Sequence, residues 1–432
     1  MSSFSVLLIN AIIYTLTLVY FFKKYRLSVG VLIWTLYTVS AWSSFLFIQQ
    51  PGYSLSVHSS QQTLLPCLYL YFVFLIAMAP LMKLNKIKDI DFFNKKIVRV
   101  LMLVCTIVFF LFVVVDLPVM TNVATIGTNA LSQLRQTVYG DEGLSLVTAN
   151  KWLNKLSLLF LGMRVLATGL SVITFVSFKD NRRLANLFFI ACFLNNLRVI
   201  LVQVGRGEIV FIFLLYASVF YLMRDWLSPK KKRALLVYAL PIVVVGAVFF
   251  WAITISRFGD RAGFFMYKYL GEPINNFDGI LFNNIKGHTY GRAYFSLFYR
   301  YLMGQMDFST GTEKWQMIIT TTGVRGDIFY TWVGGLVIEF GKIVPVVVAI
   351  ILNRIIKRMM AIEKYYYGDA VVLIFFINFF IRGIFIFPTQ NFEGNLMIIY
   401  TLLLYLVFRI RRAENGSIVL KVPKLHPAKR NV

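Results

Sequence analysis

Charge is scarce in this sequence. Asp, Glu, Lys and Arg make up only 15% of its 432 residues, whereas a soluble domain carries roughly 25%. Too few charged groups exist to cover a water-facing surface of this size, so an ordinary soluble domain is excluded. Cysteine and histidine are scarce too, with three of each. Cys67, Cys105 and Cys192 lie inside apolar runs, which implies no disulfide framework. His58, His288 and His426 are scattered without zinc-like spacing. No internal repeat is visible, which counts against a transporter built from inverted repeats. Acid is the scarcer charge, with 19 Asp and Glu against 44 Lys and Arg and a net charge of +25. The basic residues sit at the ends of apolar runs and form no soluble basic domain, so a nucleic-acid partner is set aside.

What the chain has instead is apolar length. Hydrophobic residues reach 58% and mean hydropathy is +0.71. They fall in runs of about twenty, enough to cross ~30 Å of hydrocarbon at ~1.5 Å per residue. The runs are 4–22, 27–48, 63–82, 97–115, 152–178, 184–203, 207–223, 234–254, 329–352, 370–388 and 395–408. The last is short and is expected to extend at its N-terminal end. The run 329–352 is weak, because Gly334, Gly335, Glu339, Gly341, Lys342 and Pro345 interrupt it. The first run, Phe4 to Phe22, is too long for the apolar region of a signal peptide and has no basic segment before it. The expected fold is an all-α polytopic membrane protein of about eleven transmembrane helices. Residues 1–412 would form a single transmembrane unit, and 413–432, carrying Pro, Lys and Gly, a disordered tail.

Most of the 44 basic residues collect in 23–26, 83–96, 179–183, 224–233, 353–364 and 409–432. These segments share one side if the N-terminus is outside, and the positive-inside tendency makes that side cytoplasmic. The Lys230–Arg233 run then reads as a topology anchor on anionic lipid. Two long segments fall on the opposite, outer side: 116–151 and 255–328. Each mixes charge, aromatics, Gly and Asn. Within the second, Ala293 to Met306 has the pattern of an amphipathic helix lying in the interface.

An ionisable residue inside a span is expensive and by default marks function or a pair. Five qualify: Arg164, Arg198, Glu208, Glu339 and Arg382. Arg198 follows Asn195 by three residues, so both face one way. Glu208 comes directly after Gly205-Arg206-Gly207. One reading pairs Arg164 or Arg382 structurally with Glu339. Either way, Arg198, Arg206, Glu208 and Arg382 should share one level near the outer surface.

The outer loops add Arg135, Arg257, Arg261, Arg292 and Arg325. Any one of them fits a solvated surface; the surplus in one place is the signal. Arginine suits diphosphate, because its planar fork donates two parallel hydrogen bonds and stays charged. The outer acids are Asp116, Asp141, Glu142, Asp260, Glu272, Asp278, Asp307, Glu313 and Asp327, and no two have a strong metal-binding spacing. The first outer loop, 49–62, has no acid, so the acidic pair of metal-dependent sugar transferases with lipid-phosphate donors is missing there. A metal-free mechanism fits better. Asn275-Asn276-Phe277-Asp278 and the nearby Phe264, Phe265, Tyr267 and Tyr269 have the composition of a sugar-binding surface.

Four stretches carry a resemblance: Ser132 to Gly143 (SQLRQTVYGDEG), Val204 to Tyr216 (VGRGEIVFIFLLY), Ile255 to Asp278 (ISRFGDRAGFFMYKYLGEPINNFD) and Gly326 to Gly341 (GDIFYTWVGGLVIEFG). With the topology, they make the chain resemble the O-antigen or capsule polymerases of the Wzy type, the oligosaccharide repeat unit polymerases. The resemblance implies a GT-C-like helical bundle in the bacterial inner membrane, with the N-terminus periplasmic and the C-terminus cytoplasmic. It also implies joining of undecaprenyl-diphosphate-linked oligosaccharide repeats at the periplasmic face, with undecaprenyl diphosphate as leaving group. No cofactor, nucleotide sugar or metal is implied. Membrane lipid and a chain-length-regulating co-polymerase are the implied partners. On that reading Arg206, Arg257 and Arg261 stabilise charge on the departing diphosphate. Glu208, Asp260 and Asp278, in that order, are candidates to take the acceptor hydroxyl's proton. Arg135, Arg198, Asn275, Asn276, Arg292, Arg325 and Arg382 are the expected substrate-binding residues. The nearest rival is an O-antigen ligase, which moves the same glycan to lipid A core or protein and would use a loop histidine, here His288. A lipid or polysaccharide transporter is the rival from another class and predicts charge spread across both leaflets.

Overall fold

The computed structural model describes residues 1–53, 61–125, 151–203, 206–233, 237, 246–248, 251, 254–255, 258–304, 308, 310–362, 364–412 and 418–420. The described chain is helical almost throughout. In order the helices are α1 (Ser3–Tyr25), α2 (Val29–Phe47), α3 (Leu64–Met78), α4 (Lys95–Thr125), α5 (Lys151–Ser177), α6 (Arg182–Gln203) and α7 (Arg206–Leu222). The second half holds α8 (Ala262–Asn276), α9 (Ser296–Met303), α10 (Gly311–Thr322), α11 (Trp332–Phe340), α12 (Ile343–Met360), α13 (Tyr367–Gly383) and α14 (Phe392–Val407). Among the described residues five helices are long and apolar enough to cross a membrane: α1, α2, residues 95–121 of α4, residues 155–177 of α5 and residues 182–202 of α6. Helices α3, α7 and α14 are apolar and shorter. On α4 the residues Val100, Leu103, Ile107, Leu111 and Val114, spaced three or four apart, are all exposed. Such a stripe lines one helix face and is what a lipid-facing surface requires.

The bundle is held by aromatic packing around α2. Trp34 stacks on Tyr14 at 5.3 Å, Tyr37 meets Phe74 of α3 edge-on at 4.7 Å, and Phe74 lies 6.0 Å from Trp332. The Tyr37 hydroxyl donates to the Phe380 carbonyl of α13 at 3.0 Å, which satisfies the polar end of a fully buried ring.

Four expectations change here. The weak run 329–352 is a hairpin and not one span. Thr331 caps α11 by accepting from the Gly334 N–H at 3.3 Å, and α11 stops at Gly341, whose φ of +85° suits glycine. A Cβ at Gly341 would also lie 3.0 Å from His288 Nε2. Trp332 sits deep in the bundle beside Phe74, Phe379 and Phe380, so the chain before α11 enters the bundle and α11 leads it back out. Helix α12 then runs beside α3: the Tyr69 hydroxyl donates to the Lys342 carbonyl, and the Asn353 amide donates to the Ile76 carbonyl at 2.5 Å.

The segment 255–328 is likewise more than a surface loop. Helix α8 packs on α2, with the Ser40 hydroxyl donating to the Leu270 carbonyl at 2.6 Å. Gly271 permits the approach, since a Cβ there would lie 2.6 Å from the Ser43 carbonyl carbon. A π-helical turn, Phe277–Phe282, follows and stacks Phe277 on Tyr69 at 6.0 Å. The first outer segment starts later than residue 116, because α4 continues through Pro118 to Thr125. The expected tail is partly ordered: Ile418–Leu420 pairs antiparallel with Ile410–Arg412.

Candidate functional site

Four helices bring charge to one point at the end of the bundle that carries α8 to α10. Arg164 of α5 donates to Glu208 Oε2 of α7 and to Glu393 Oε1 of α14, both at 3.0 Å. Arg382, in the last turn of α13, donates to the same Glu208 oxygen at 2.8 Å and to Asn378 Oδ1 at 3.3 Å. Asn196 of α6 completes the shell, accepting from Arg164 at 3.4 Å and donating to Thr168 Oγ at 2.8 Å and Tyr216 Oη at 3.3 Å. The Arg382 guanidinium also lies 5.1 Å over the Phe211 ring, a cation–π contact.

The local sequence explains the convergence. Glu208 and Glu393 both sit in the first turn of their helices, where a carboxylate meets the positive end of the macrodipole. Arg382 occupies the last turn of α13, where a cation is favoured. Gly162, two residues before Arg164, lets α5 touch α14, since a Cβ there would lie 2.7 Å from Leu396 Cβ. Two guanidiniums and two carboxylates balance in charge, which is how a buried cluster avoids the cost of an unpaired ion. The Glu208 and Glu393 side chains keep 16% and 18% of their surface accessible, against 3% for Arg164. A ligand arriving from outside therefore meets the carboxylates first.

Both arginines singled out in the sequence are here, but their partner is Glu208 and not Glu339. Glu339 instead accepts from Thr289 Oγ at 2.6 Å, the Gly291 N–H at 2.5 Å and the Tyr294 N–H. It thereby ties down the turn 289–294, where Tyr290 and Gly291 have φ of +51° and +89°. Glu393 escapes a reading of the sequence because the last apolar run begins at residue 395, two positions past it. Its signal, an acid opening an apolar helix, is the one that marks Glu208.

The remaining candidates scatter. Arg198 pairs with Asp116 of α4 at 2.6 Å, fully buried and 5.0 Å from the Phe112 ring, which ties α4 to α6. Asp116 is thus a helical partner and no loop acid. Arg206 opens α7 two residues before Glu208, and Asp260 lies in the short turn Gly259–Arg261 with Arg261 exposed beside it. Arg292 donates to the Thr289 carbonyl at 3.2 Å, and Arg325 is paired with Asp327 at 2.5 Å. Arg135 and Arg257 lie outside the described residues.

The stretch 275–278 is not an open sugar-binding surface, because all four residues are buried. Asn275 exchanges hydrogen bonds with Ser44 of α2, and Asn276 donates to Glu272 at 3.1 Å and to the Phe329 carbonyl at 3.0 Å. Asp278 accepts from the Thr63 N–H at 2.9 Å, the Thr63 hydroxyl at 3.0 Å and the Cys67 thiol at 3.4 Å. Thr63 begins α3 without a side-chain cap of its own, so Asp278 supplies the acceptor that the helix start needs. Burial pushes the Asp278 carboxyl up to about 6, against the lowering effect of those three bonds.

A second cluster adjoins the first through the connector from α13 to α14. Asn395 donates to the carbonyls of Tyr294, Thr389 and Asn391 at 3.0, 2.7 and 2.9 Å. Lys314 of α10 is buried, donates to the Gln390 carbonyl and lies 4.8 and 4.9 Å from the Tyr294 and Trp315 rings. Burial pushes its ammonium down to about 7.

Fold and site together define a helical protein with apolar helices long enough to cross a membrane and a charge-balanced arginine–carboxylate cluster at one end of its bundle. No protein-family model, curated protein or solved structure matches the chain.

Proposed function

We propose that the protein polymerises undecaprenyl-diphosphate-linked oligosaccharide repeats into surface polysaccharide. The bundle would cross the bacterial inner membrane about eleven times, in a GT-C-like arrangement with the N-terminus periplasmic. The observation that carries this reading is the convergence of Arg164, Arg382, Glu208 and Glu393 from four helices. It lies at the end of the bundle that the basic segments avoid, which on this reading would be the periplasmic end. The two guanidiniums share one carboxylate oxygen of Glu208. A diphosphate displacing that oxygen would meet both guanidiniums, and paired cations stabilise charge on a leaving group.

The roles shift accordingly. Glu208, held by two arginines, stays ionised and positions them, so it is a poor proton acceptor. Arg206 and Arg261 would supply further positive charge near the helix starts. The glycan would pass from its lipid diphosphate to the non-reducing end of an incoming lipid-linked unit, without metal or nucleotide sugar. Membrane lipid and a chain-length-regulating co-polymerase are the proposed partners.

Deleting the gene in its host tests this. Loss of the polysaccharide ladder with retention of a single capped repeat supports the polymerase. Complete loss of attached glycan, with long lipid-linked chains accumulating, would replace it by the ligase reading. Loss of surface glycan with single lipid-linked repeats trapped on the cytoplasmic side would point to a transporter.

A further inference from the structure

Glycosyl transfer has one proton to dispose of. The acceptor sugar's hydroxyl loses it as the new bond forms, and Glu208 is already held by two guanidiniums. The other outer carboxylates whose side chains are described are engaged as well. Glu339 accepts from Thr289, Gly291 and Tyr294, and Asp278 from Thr63 and Cys67. Asp116 is buried against Arg198, and Asp327 is paired with Arg325. Glu272 is buried and accepts from Asn276, while Glu313 accepts from the Thr310 N–H at the start of α10.

Glu393 differs from all of these. Its Oε1 accepts from Arg164 at 3.0 Å, and its Oε2 has no hydrogen-bond partner among the described residues. The side chain keeps 18% of its surface accessible, so the second oxygen can be reached from outside. The backbone that carries it is fixed. Asn391 caps α14 by accepting from the Gly394 N–H at 2.9 Å, and Asn395 donates to the Tyr294 and Thr389 carbonyls at 3.0 and 2.7 Å. Gly162 of α5 approaches so closely that a Cβ there would lie 2.9 Å from the Glu393 carbonyl oxygen. A carboxylate with one oxygen oriented and the other open has the geometry of a general base.

Electrostatics select the same residue. Glu208 and Glu393 both lie in the first turn of a helix, so the macrodipole does not distinguish them. Before substrate arrives, two guanidiniums balance two carboxylates. A bound diphosphate adds a further anion, and added negative charge raises the proton affinity of a nearby carboxylate. Glu393, which shares only one guanidinium, is the less compensated of the two.

We propose that Glu393 is the catalytic proton acceptor of the transfer, an assignment that rests on the polymerase reading. As the acceptor oxygen bonds to the donor's anomeric carbon, its proton passes to Glu393 Oε2. The bond from that carbon to the diphosphate oxygen breaks, and its electron pair leaves on the diphosphate beside Arg164 and Arg382. Glu393 then gives the proton to water, which restores the carboxylate.

The test is elongation of the host's lipid-linked repeat by full-length protein reconstituted in liposomes. Glu393→Gln keeps an oxygen facing Arg164 but loses the basicity, so kcat should fall about 10²–10⁴-fold with KM nearly unchanged. Glu393→Ala should be equally impaired. Formate, a small carboxylate that can enter the space left by the side chain, should restore part of kcat to Glu393→Ala and nothing to Glu393→Gln. A merely structural role gives no such rescue. The assignment is overturned if kcat of Glu393→Gln stays within about tenfold of wild type, if the loss falls on KM alone, or if formate fails to rescue a folded Glu393→Ala. Should Glu393→Ala not fold, Glu393→Gln decides by itself. A wild type that does not elongate the repeat overturns the polymerase reading and this assignment together; elongation that Glu393→Gln leaves intact overturns the assignment alone.

Discussion

Glu208→Gln removes the carboxylate that two guanidiniums share, and the structure sets the size of the effect. Arg164 keeps Glu393 at 3.0 Å and Asn196 at 3.4 Å. Arg382 keeps only Asn378 at 3.3 Å and the Phe211 ring. The loss therefore falls mainly on Arg382, which is left nearly buried without a countercharge. Removing one partner of a buried pair costs about 3–5 kcal/mol. A glutamine amide oxygen still accepts one hydrogen bond, so roughly 2–4 kcal/mol is expected. Glu393→Gln should cost less, about 1–2 kcal/mol, because Arg164 retains Glu208. The double variant Glu208→Gln/Arg382→Gln should be less destabilised than the sum of its singles by at least ~1 kcal/mol, since the stranded cation is gone. Equilibrium unfolding in mixed micelles measures wild type, the three single variants and the double. Additivity within about 0.5 kcal/mol, or Glu393→Gln costing more than Glu208→Gln, would refute the shared-carboxylate argument.

Three further outcomes follow from the geometry. Asp278 has a folded pKa of about 6, above its unfolded value near ~3.9, so its neutral form is favoured by folding. Its contribution is complete below about pH 4 and is lost as pH rises through 6, a change on the order of 3 kcal/mol. The melting temperature of wild type should therefore fall between about pH 4 and pH 6 and level off above, by an amount that Asp278→Asn removes; an identical slope in the variant contradicts this. Gly271→Ala forces a Cβ to within 2.6 Å of the Ser43 carbonyl carbon, and separating α8 from α2 should cost about 1–3 kcal/mol, seen as a lower melting temperature and loss of the ladder. Arg382→Lys keeps the charge but loses the fork that reaches Glu208 and Asn378 together, so chain length on gels should collapse although the protein still inserts; a normal ladder would take Arg382 out of the mechanism.

How much of this is legible in the sequence depends on what the lipid demands. A helix crossing hydrocarbon must be apolar over its length, so the runs 27–48, 370–388 and 395–408 find their helices at Val29–Phe47, Tyr367–Gly383 and Phe392–Val407. Where the chain is buried in protein instead, that rule lapses. Lys268, Glu272, Asn275 and Asn276 make α8 read as an outer loop, yet its polar groups find partners on α2 and in the chain before α11. The break at Gly341 is foreshadowed by its neighbours, but the close approach of His288 to it is not. That an intramembrane arginine needs a partner is readable from cost alone. Which acid it chooses is not, because Glu208, Glu339 and Glu393 are equivalent in composition and differ only in where tertiary packing puts them. The buried Asn275 and Asn276 fail as a sugar surface for the same reason.

The polymerase assignment is tested most directly by reconstitution. The purified protein is placed in liposomes with the host's undecaprenyl-diphosphate-linked repeat as sole substrate, in EDTA and without any nucleotide sugar. The expected result is a ladder of lipid-linked glycans, each step releasing one undecaprenyl diphosphate, and loss of that ladder in Arg382→Lys. Repeats that stay at one unit, or that elongate only when magnesium or a nucleotide sugar is added, would contradict the assignment.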